Sequence, residues 1–267
     1  MRHSPRFGLA LVVTTASLFA CAGPGGVEQA KPVAESAISI DGKIGLASLV
    51  SLSEAHFQKM VDSLHVLALS GAAQSGDWAQ IKGPLAEVAK RNVAALNWFA
   101  LPNGSYWSVQ NGKEPANLAQ RDYFPKVLAG QTIIGELVVS KSTGKPAAIV
   151  AVPVHGAGHA VFGVLGASIY LDRLSARLSQ EMDLDDRVIF YAFDHTGRFS
   201  LEWDPSLIFL EPEKTAEEDL IRAVKEILST EQGMVNYRFR GRGRTVLFRR
   251  SPVTGWWHAF GVAPEGR

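Results

Sequence analysis

From Leu46 to Ala68 the residues Leu46, Val50, Phe57, Val61, Leu64 and Ala68 recur at three-, four- and seven-residue steps. That spacing draws one apolar stripe down a helix of several turns, from about Ile44 to Ser70. A helix apolar along a single stripe has to lay it against another layer. Gly71 and "QSGD" at 74–77 interrupt the pattern, and a second helix begins near Asp77, a good N-cap, carrying Trp78, Ile81, Leu85, Val88 and Val93 inward, with a bend expected at Gly83-Pro84. From Ala94 onward the period changes to two. The chain must therefore place a long helix against sheets.

The strand region reads as a series of hairpins. "ALNWFAL" and "SYWSV" flank the turn "PNG", where Asn103-Gly104 supplies the positive φ that tight turns need. A short helix around Tyr123 to Ala129 follows, then a strand near Glu136 to Ser140, the turn "STGK", and two long strands, "PAAIVAVPV" and "AVFGVLGASIYL", joined by "HGAGH". The helix "LDRLSARLSQEM" closes this unit. The order then partly repeats with "RVIFYAF", the turn "DHTG", "RFSLEW", the helix "AEEDLIRAVKEIL", and the strands "GMVNYRF", "RTVLFRR" and "GWWHAFGVA". Two antiparallel sheets with helices to one side make an α+β fold. With 267 residues, 46% of them hydrophobic, the chain can bury one large core or two small ones.

The N-terminus reads as an export signal. Arg2, His3 and Arg6 precede the apolar run Phe7 to Ala20, which has the charge order and length of a secretory core and is short for a membrane span. "LFAC" after it resembles a bacterial lipobox, with Leu18 three positions before Cys21 and small Ala20 just before it; Phe19 is bulkier than usual there. The resemblance implies a lipid anchor, bearing acyl chains such as palmitate, on Cys21. Ala22, in place of the aspartate associated with inner-membrane retention, points to the outer membrane. The alternative is ordinary cleavage after Ala20-Cys21-Ala22, which discards the cysteine. Ala22 to Ser39 is rich in Gly, Pro, Ala, Glu and Lys without a period, and reads as a tether.

Other functions find little support. Twenty-seven basic against 26 acidic residues give a net charge of +1, so nothing recommends a nucleic-acid partner. A lone cysteine excludes an internal disulfide and multi-cysteine metal sites. "HGAGH" spaces His155 and His159 as a zinc helix would, but its glycines argue for a hairpin turn. No Gly-x-Ser-x-Gly elbow exists, so neither a catalytic residue, a metal nor a cofactor is expected, and the chain does not read as an enzyme. In "RFRGRGRTVLFRR" the alternation of Tyr237 and Phe239 with Arg238 and Arg240 places the arginines on the solvated face of a hairpin, where they could also meet anionic lipid headgroups or an acidic partner.

The ordered series "LPNGSYWSVQNG", "NLAQRDYFPKVLAGQ", "SKSTGKPAAIVAVPV", "GVLGASIYLDRLS", "FDHTGRFSLEWDP" and "SPVTGWWHAFGVAP" resembles the double Cache family of extracellular sensor domains, from about Ile44 onward. The resemblance implies a long N-terminal helix supporting two PAS-like antiparallel-sheet modules. The divisions are 1–20 signal peptide, 21–39 lipid-anchored tether, 40–92 helical segment, 93–183 first module and 184–267 second module. In family members that bind amino acids, an arginine followed by aromatic residues grips the ligand carboxylate and a distant aspartate takes the ammonium. Arg121, Tyr123 and Phe124 match the first feature; Ser168 stands in place of the aspartate, Ala116 in place of a tyrosine, and Leu137 and Val138 where another aromatic would help. The implied ligand is a small carboxylate without an amino group, held by Arg121, Tyr123, Phe124, Trp107, Trp98 and Ser168. Structural roles for these residues remain open: Arg121 as a cap of loop carbonyls or a partner of Asp122 or Glu136, and the aromatics as core. The implied partners are that solute, the membrane through the anchor, and a separate envelope protein. A ligand-free docking lipoprotein is the competing expectation.

Overall fold

The computed structural model describes residues 34–185 and 187–263. Cys21, the export run and the tether up to residue 33 lie outside the described residues. The first helix, α1, spans Ala34–Ala68, which is about 50 Å of helix. It takes in Ala34 to Ser39, the end of the stretch read as tether. All six stripe residues are buried, together with Leu49, Met60 and Leu67. A four-residue helix, α2 (Gly71–Gln74), occupies the break after it, and α3 (Trp78–Arg91) is capped by Asp77, whose side chain accepts from Ala79 N. Helix α3 runs on through Pro84, which is exposed, so the missing N–H faces water.

The first sheet contains β1 (Ala95–Ala100), β2 (Ser105–Ser108), β3 (Gly112–Asn117), β4 (Ile133–Val139), β5 (Pro146–His155) and β6 (Val161–Tyr170), in the order β3-β2-β1-β6-β5-β4. Helix α4 (Tyr123–Leu128) lies between β3 and β4 in the chain. Helix α5 (Leu171–Glu181) leads to the second sheet, made of β7 (Val188–Phe193), β8 (Phe199–Glu202), β9 (Gln232–Phe239), β10 (Arg242–Arg250) and β11 (Trp257–Val262), with α6 (Glu218–Leu228) before β9. Its order is β8-β7-β11-β10-β9, and all pairs in both sheets are antiparallel. Without β3, the first sheet has the same order. "HGAGH" is the β5–β6 turn, as its glycines suggest, and no group of metal ligands forms among the described residues.

Packing divides by face. The stripe of α1, with α3 and α5, covers one face of both sheets in a continuous core that includes Phe99, Val150, Leu165, Phe190, Leu201 and Phe260. The opposite face of the first sheet packs under α4, and that of the second under α6. The solvated-arginine reading of the β9–β10 hairpin holds for Arg238 and Arg240 but not for Arg244, which is buried. Arg240 and Gly241 both have positive φ in a tight turn, and β10 returns with Arg242 opposite Phe239 and Arg244 opposite Tyr237. Cross-strand partners share a face. Arg242 and Arg244 therefore turn toward the α6 side.

His258 of β11 is fully buried against α1, with Nε2 3.1 Å from Ser53 Oγ. Burial pushes its pKa down to about 4, opposed by the nearby Trp256 backbone and helped by the charge of Arg249. A depressed histidine stabilises the fold above its unfolded value, near 6.5, and that contribution disappears as pH falls toward 4. We expect wild-type unfolding free energy, from urea melts, to drop by roughly 3 kcal/mol more than that of His258→Gln between pH 7.5 and pH 4. Parallel pH profiles for the two proteins would refute the assignment.

Candidate functional site

The inner face of the first sheet presents Leu96 and Trp98 from β1, Tyr106 from β2, Val138 from β4, Ile149 from β5 and Ser168 from β6. Cross-strand pairing explains the set. Ala100 lies opposite Tyr106 and Leu96 opposite Ser168, while Ile149 is also opposite Ser168. Tyr123 comes down from α4, and the loop before it contributes Leu118 and Arg121. Ser140, Lys141 and Ser142 of the β4–β5 turn close the top. What remains is a cavity of about 10 Å³, room for about one water molecule.

Three contacts fasten the β4–β5 turn over this cavity. Arg121 Nη2 donates to Val139 O at 2.6 Å, Lys141 Nζ donates to Asn117 O at 2.9 Å, and the Tyr106 and Ser142 hydroxyls lie 2.6 Å apart. Arg121 is half-buried and its partner is a carbonyl rather than Asp122 or Glu136. At the floor, Trp98 Nε1 donates to Ser168 Oγ at 3.2 Å, and both residues are buried. Burial pushes the Tyr123 hydroxyl well above its usual range, with Arg121 pulling the other way. It remains a neutral phenol. Burial also raises Tyr106, opposed by its bond to Ser142. The lining carries two cations, Arg121 and Lys141, and no acid.

Four of the six residues singled out in the sequence meet here: Trp98, Arg121, Tyr123 and Ser168. Trp107 does not line the cavity. It pairs with Phe99 on the other face, packs toward the shared core and lies under Lys113 Nζ at 5.0 Å. Phe124 is buried in the core beneath α4, edge-on to Tyr123 at 6.5 Å between ring centres. Sequence reasoning passed over Tyr106, Leu118, Lys141 and Ser142. Tyr106 was recoverable, because a hairpin that puts Trp98 inward also turns Tyr106, not Trp107, to that side.

Residues 39–267 match the family model described as Cache domain. The chain belongs to the Cache domain family. Among solved structures, it is similar to the ligand-binding domain of the Pseudomonas aeruginosa PAO1 amino acid chemoreceptor PctB in complex with L-Arg, at 16% identity and a TM-score of 0.67, over 86% of this chain and 95% of that one. The extracellular domain assigned to a histidine kinase, rpHK1S-Z16, matches with a TM-score of 0.71 and 15% identity over 88% and 98% of the two chains. The Pseudomonas fluorescens chemoreceptor CtaA ligand-binding domain in complex with L-isoleucine gives a TM-score of 0.65 at 17% identity, over 87% and 97%. No curated protein matches by sequence. Cache domains are extracellular or periplasmic sensory domains rather than enzymes. No helix of the described residues is long and apolar enough to cross a membrane.

Gly166 stands opposite Trp98, and a Cβ there would lie 2.2 Å from Trp98 Cζ2. Gly166→Ala should push the indole away from Ser168 and cost about 1 to 3 kcal/mol through overpacking. Calorimetry and tryptophan fluorescence would check this; an unchanged melting temperature and spectrum would show that Trp98 is not held by that contact.

Proposed function

We propose that this chain is an exported, lipid-anchored sensor whose two PAS-like modules bind a small carboxylate in the first and pass the binding event, by contact, to a separate envelope protein. The observation that carries this reading is the lining of the first cavity, which contains Arg121 and Lys141 but no acid. A guanidinium offers a fork of donors matched to a carboxylate, and the flanking aromatic residues strengthen the pair by excluding water. An ammonium group would meet Ser168 Oγ, already bonded to Trp98, and no counter-charge. The amino acids bound by the PctB and CtaA domains belong to those proteins; deaminated acids suit this lining better. The shared strand order of the two sheets supports the PAS-like description. The leader and "LFAC" motif support export and anchoring through Cys21, with the outer membrane as the site.

One observation favours the second reading, a ligand-free docking lipoprotein. The cavity of about 10 Å³ admits no organic acid unless the β4–β5 turn lifts. A thermal-shift screen of short-chain carboxylates, the corresponding amino acids, amines and purines separates the two. Under the sensor reading at least one carboxylate raises the melting temperature while its amino acid does not. Arg121→Ala should then weaken that acid by roughly 30-fold or more without unfolding the chain, lysine should restore only part, and Ser168→Asp should shift preference toward amino acids. A screen without any shift selects the docking reading. Cys21→Ser should move the chain from the membrane fraction to the soluble fraction or leave it uncleaved; undiminished membrane association would rule out the anchor.

A further inference from the structure

The second sheet has a cleft of its own. Helix α6 covers only part of its inner face, through Leu220, Ala223, Val224 and Ile227. Toward the β9–β10 turn the same face opens into a cleft of about 290 Å³ with apolar walls from Ile189, Trp203, Leu207 and Phe239. Arg240, Arg242 and Arg244 converge on it, with Asp204 as the acid in its lining. Asp204 Oδ1 already accepts from Ser206 N at 3.0 Å and Ser206 Oγ at 2.7 Å, so it is engaged in its own turn.

Arg244 is the unusual member. It is 9% exposed, its Nε has no hydrogen-bond partner, and its guanidinium lies 4.6 Å from the Phe239 ring centre and 6.0 Å from that of Tyr237. A buried cation set against ring faces with its Nε unpartnered is short of the hydrogen bonds that normally offset its desolvation. Glu202 is the buried acid of the neighbourhood, opposite Tyr191, 1% exposed and with Oε2 unpartnered. Burial drives its carboxyl well above the usual carboxylate range despite Arg244 and the backbone N–H groups at Asp204 and Trp203. That weakens it as a counter-ion.

We propose that this cleft is a second ligand site, which takes a small organic carboxylate with an apolar body. The carboxylate meets the Arg244 guanidinium, the exposed Arg240 and Arg242 attract it to the mouth, and the body lies against Trp203, Leu207 and Phe239. The volume is near the lower end of ordinary ligand pockets, roughly 300 Å³. Apolar walls favour an acid with a hydrocarbon body over a bare inorganic anion, whose whole surface needs polar partners. The site uses no residue of the first module and stands whether or not the first cavity takes a ligand.

The test uses the full chain, detergent-solubilised and labelled with 5-fluorotryptophan. Its six tryptophans give separate fluorine signals, of which Trp203 reports the second cleft and Trp98 the first cavity. The probes are benzoate and hexanoate, their uncharged amides, and inorganic phosphate. We expect at least one acid to move the Trp203 signal saturably at millimolar concentration or below, with its amide at least about 10-fold weaker and phosphate weaker than the acid. Arg244→Gln should weaken the acid by at least about 30-fold. The double variant Arg240→Asn with Arg242→Gln changes only exposed side chains; it should weaken the acid several-fold and flatten its salt dependence. Failure of both acids to move Trp203, equal binding of the amides, tighter binding of phosphate, or full affinity in Arg244→Gln would overturn the proposal. If Arg244→Gln loses its circular dichroism signal, the double variant decides, and unchanged affinity there overturns it. Movement of Trp98 alone would support the first-module reading while refuting this one.

Discussion

Trp256 stands where three parts of the chain meet, and the relation between the modules depends on it. Its ring packs edge-on to Phe57 of α1 at 5.2 Å, and its Nε1 donates to Gly135 O in β4 at 3.0 Å. A single indole from the second module thus contacts both the helix and the first sheet. The glycine is required there: Gly135 has φ of +83°, and a Cβ would lie 3.1 Å from Thr254. Around this point the stripe of α1 covers one face of both sheets with a continuous core. Each sheet is left with one further face, and each of these faces carries its own helix, α4 over the first and α6 over part of the second. The binding potential of the fold consequently lies in two separate compartments rather than at the junction.

The compartments solve the same electrostatic problem differently. In the first, Arg121 and Lys141 reach backbone carbonyls, and the cavity contracts to the size of a water molecule. Both cations are partly solvated, so such bonds need only modest strength to persist. In the second, Arg244 is buried among aromatic rings without a partner for Nε, and the cleft stays open at about 290 Å³. The difference follows from what each helix covers. Tyr123, Phe124 and Val127 of α4 are all buried over the first sheet, whereas the apolar side chains of α6 stop short of the cleft beside the β9–β10 turn.

Periodicity made much of this architecture legible. The stripe of α1 and the apolar residues of α3 are buried or partly buried as their spacing requires, and the strong hairpins lie where turn residues punctuate the alternation. Strand β3 was not legible, because "GKEPAN" lacks β-branched and aromatic residues and carries Pro115; as an edge strand it tolerates the missing N–H. The inward turn of Arg244 was hidden by the turn before it. Alternation along β9 correctly placed Arg238 outside, but the side to which β10 returns depends on the length of the Arg240-Gly241 turn, and an offset of one residue exchanges the faces. Trp107 was misplaced for the same reason: composition cannot say which of two adjacent aromatics faces in, whereas the pairing of Trp98 with Ser108 does.

Strand β4 joins the junction to the mouth of the first cavity. At one end Gly135 O accepts from Trp256, two residues on Leu137 O accepts from Arg198 Nη2 at 3.2 Å, and at the far end Val139 O accepts from Arg121. Two of those three donors belong to the second module, and the third belongs to the first. Any solute larger than water must separate the β4–β5 turn from Arg121, Lys141 or Tyr106 before it can enter. Because β4 is held along its length by β5 and at Gly135 and Leu137 by the second module, its freest part is the turn after Val139. Lifting that turn parts the Lys141 and Tyr106 contacts while the strand stays in place, and the Arg121 guanidinium is released only when Val139, the last residue of β4, lifts with it. A movement that reaches Leu137 instead has to pull on Arg198, whose guanidinium also lies 3.6 Å from Asp194 and 4.7 Å from the Phe209 ring centre. The first motion is local to one module; only the second carries a change of shape across the junction, so the reach of any signal depends on how far along β4 the displacement extends.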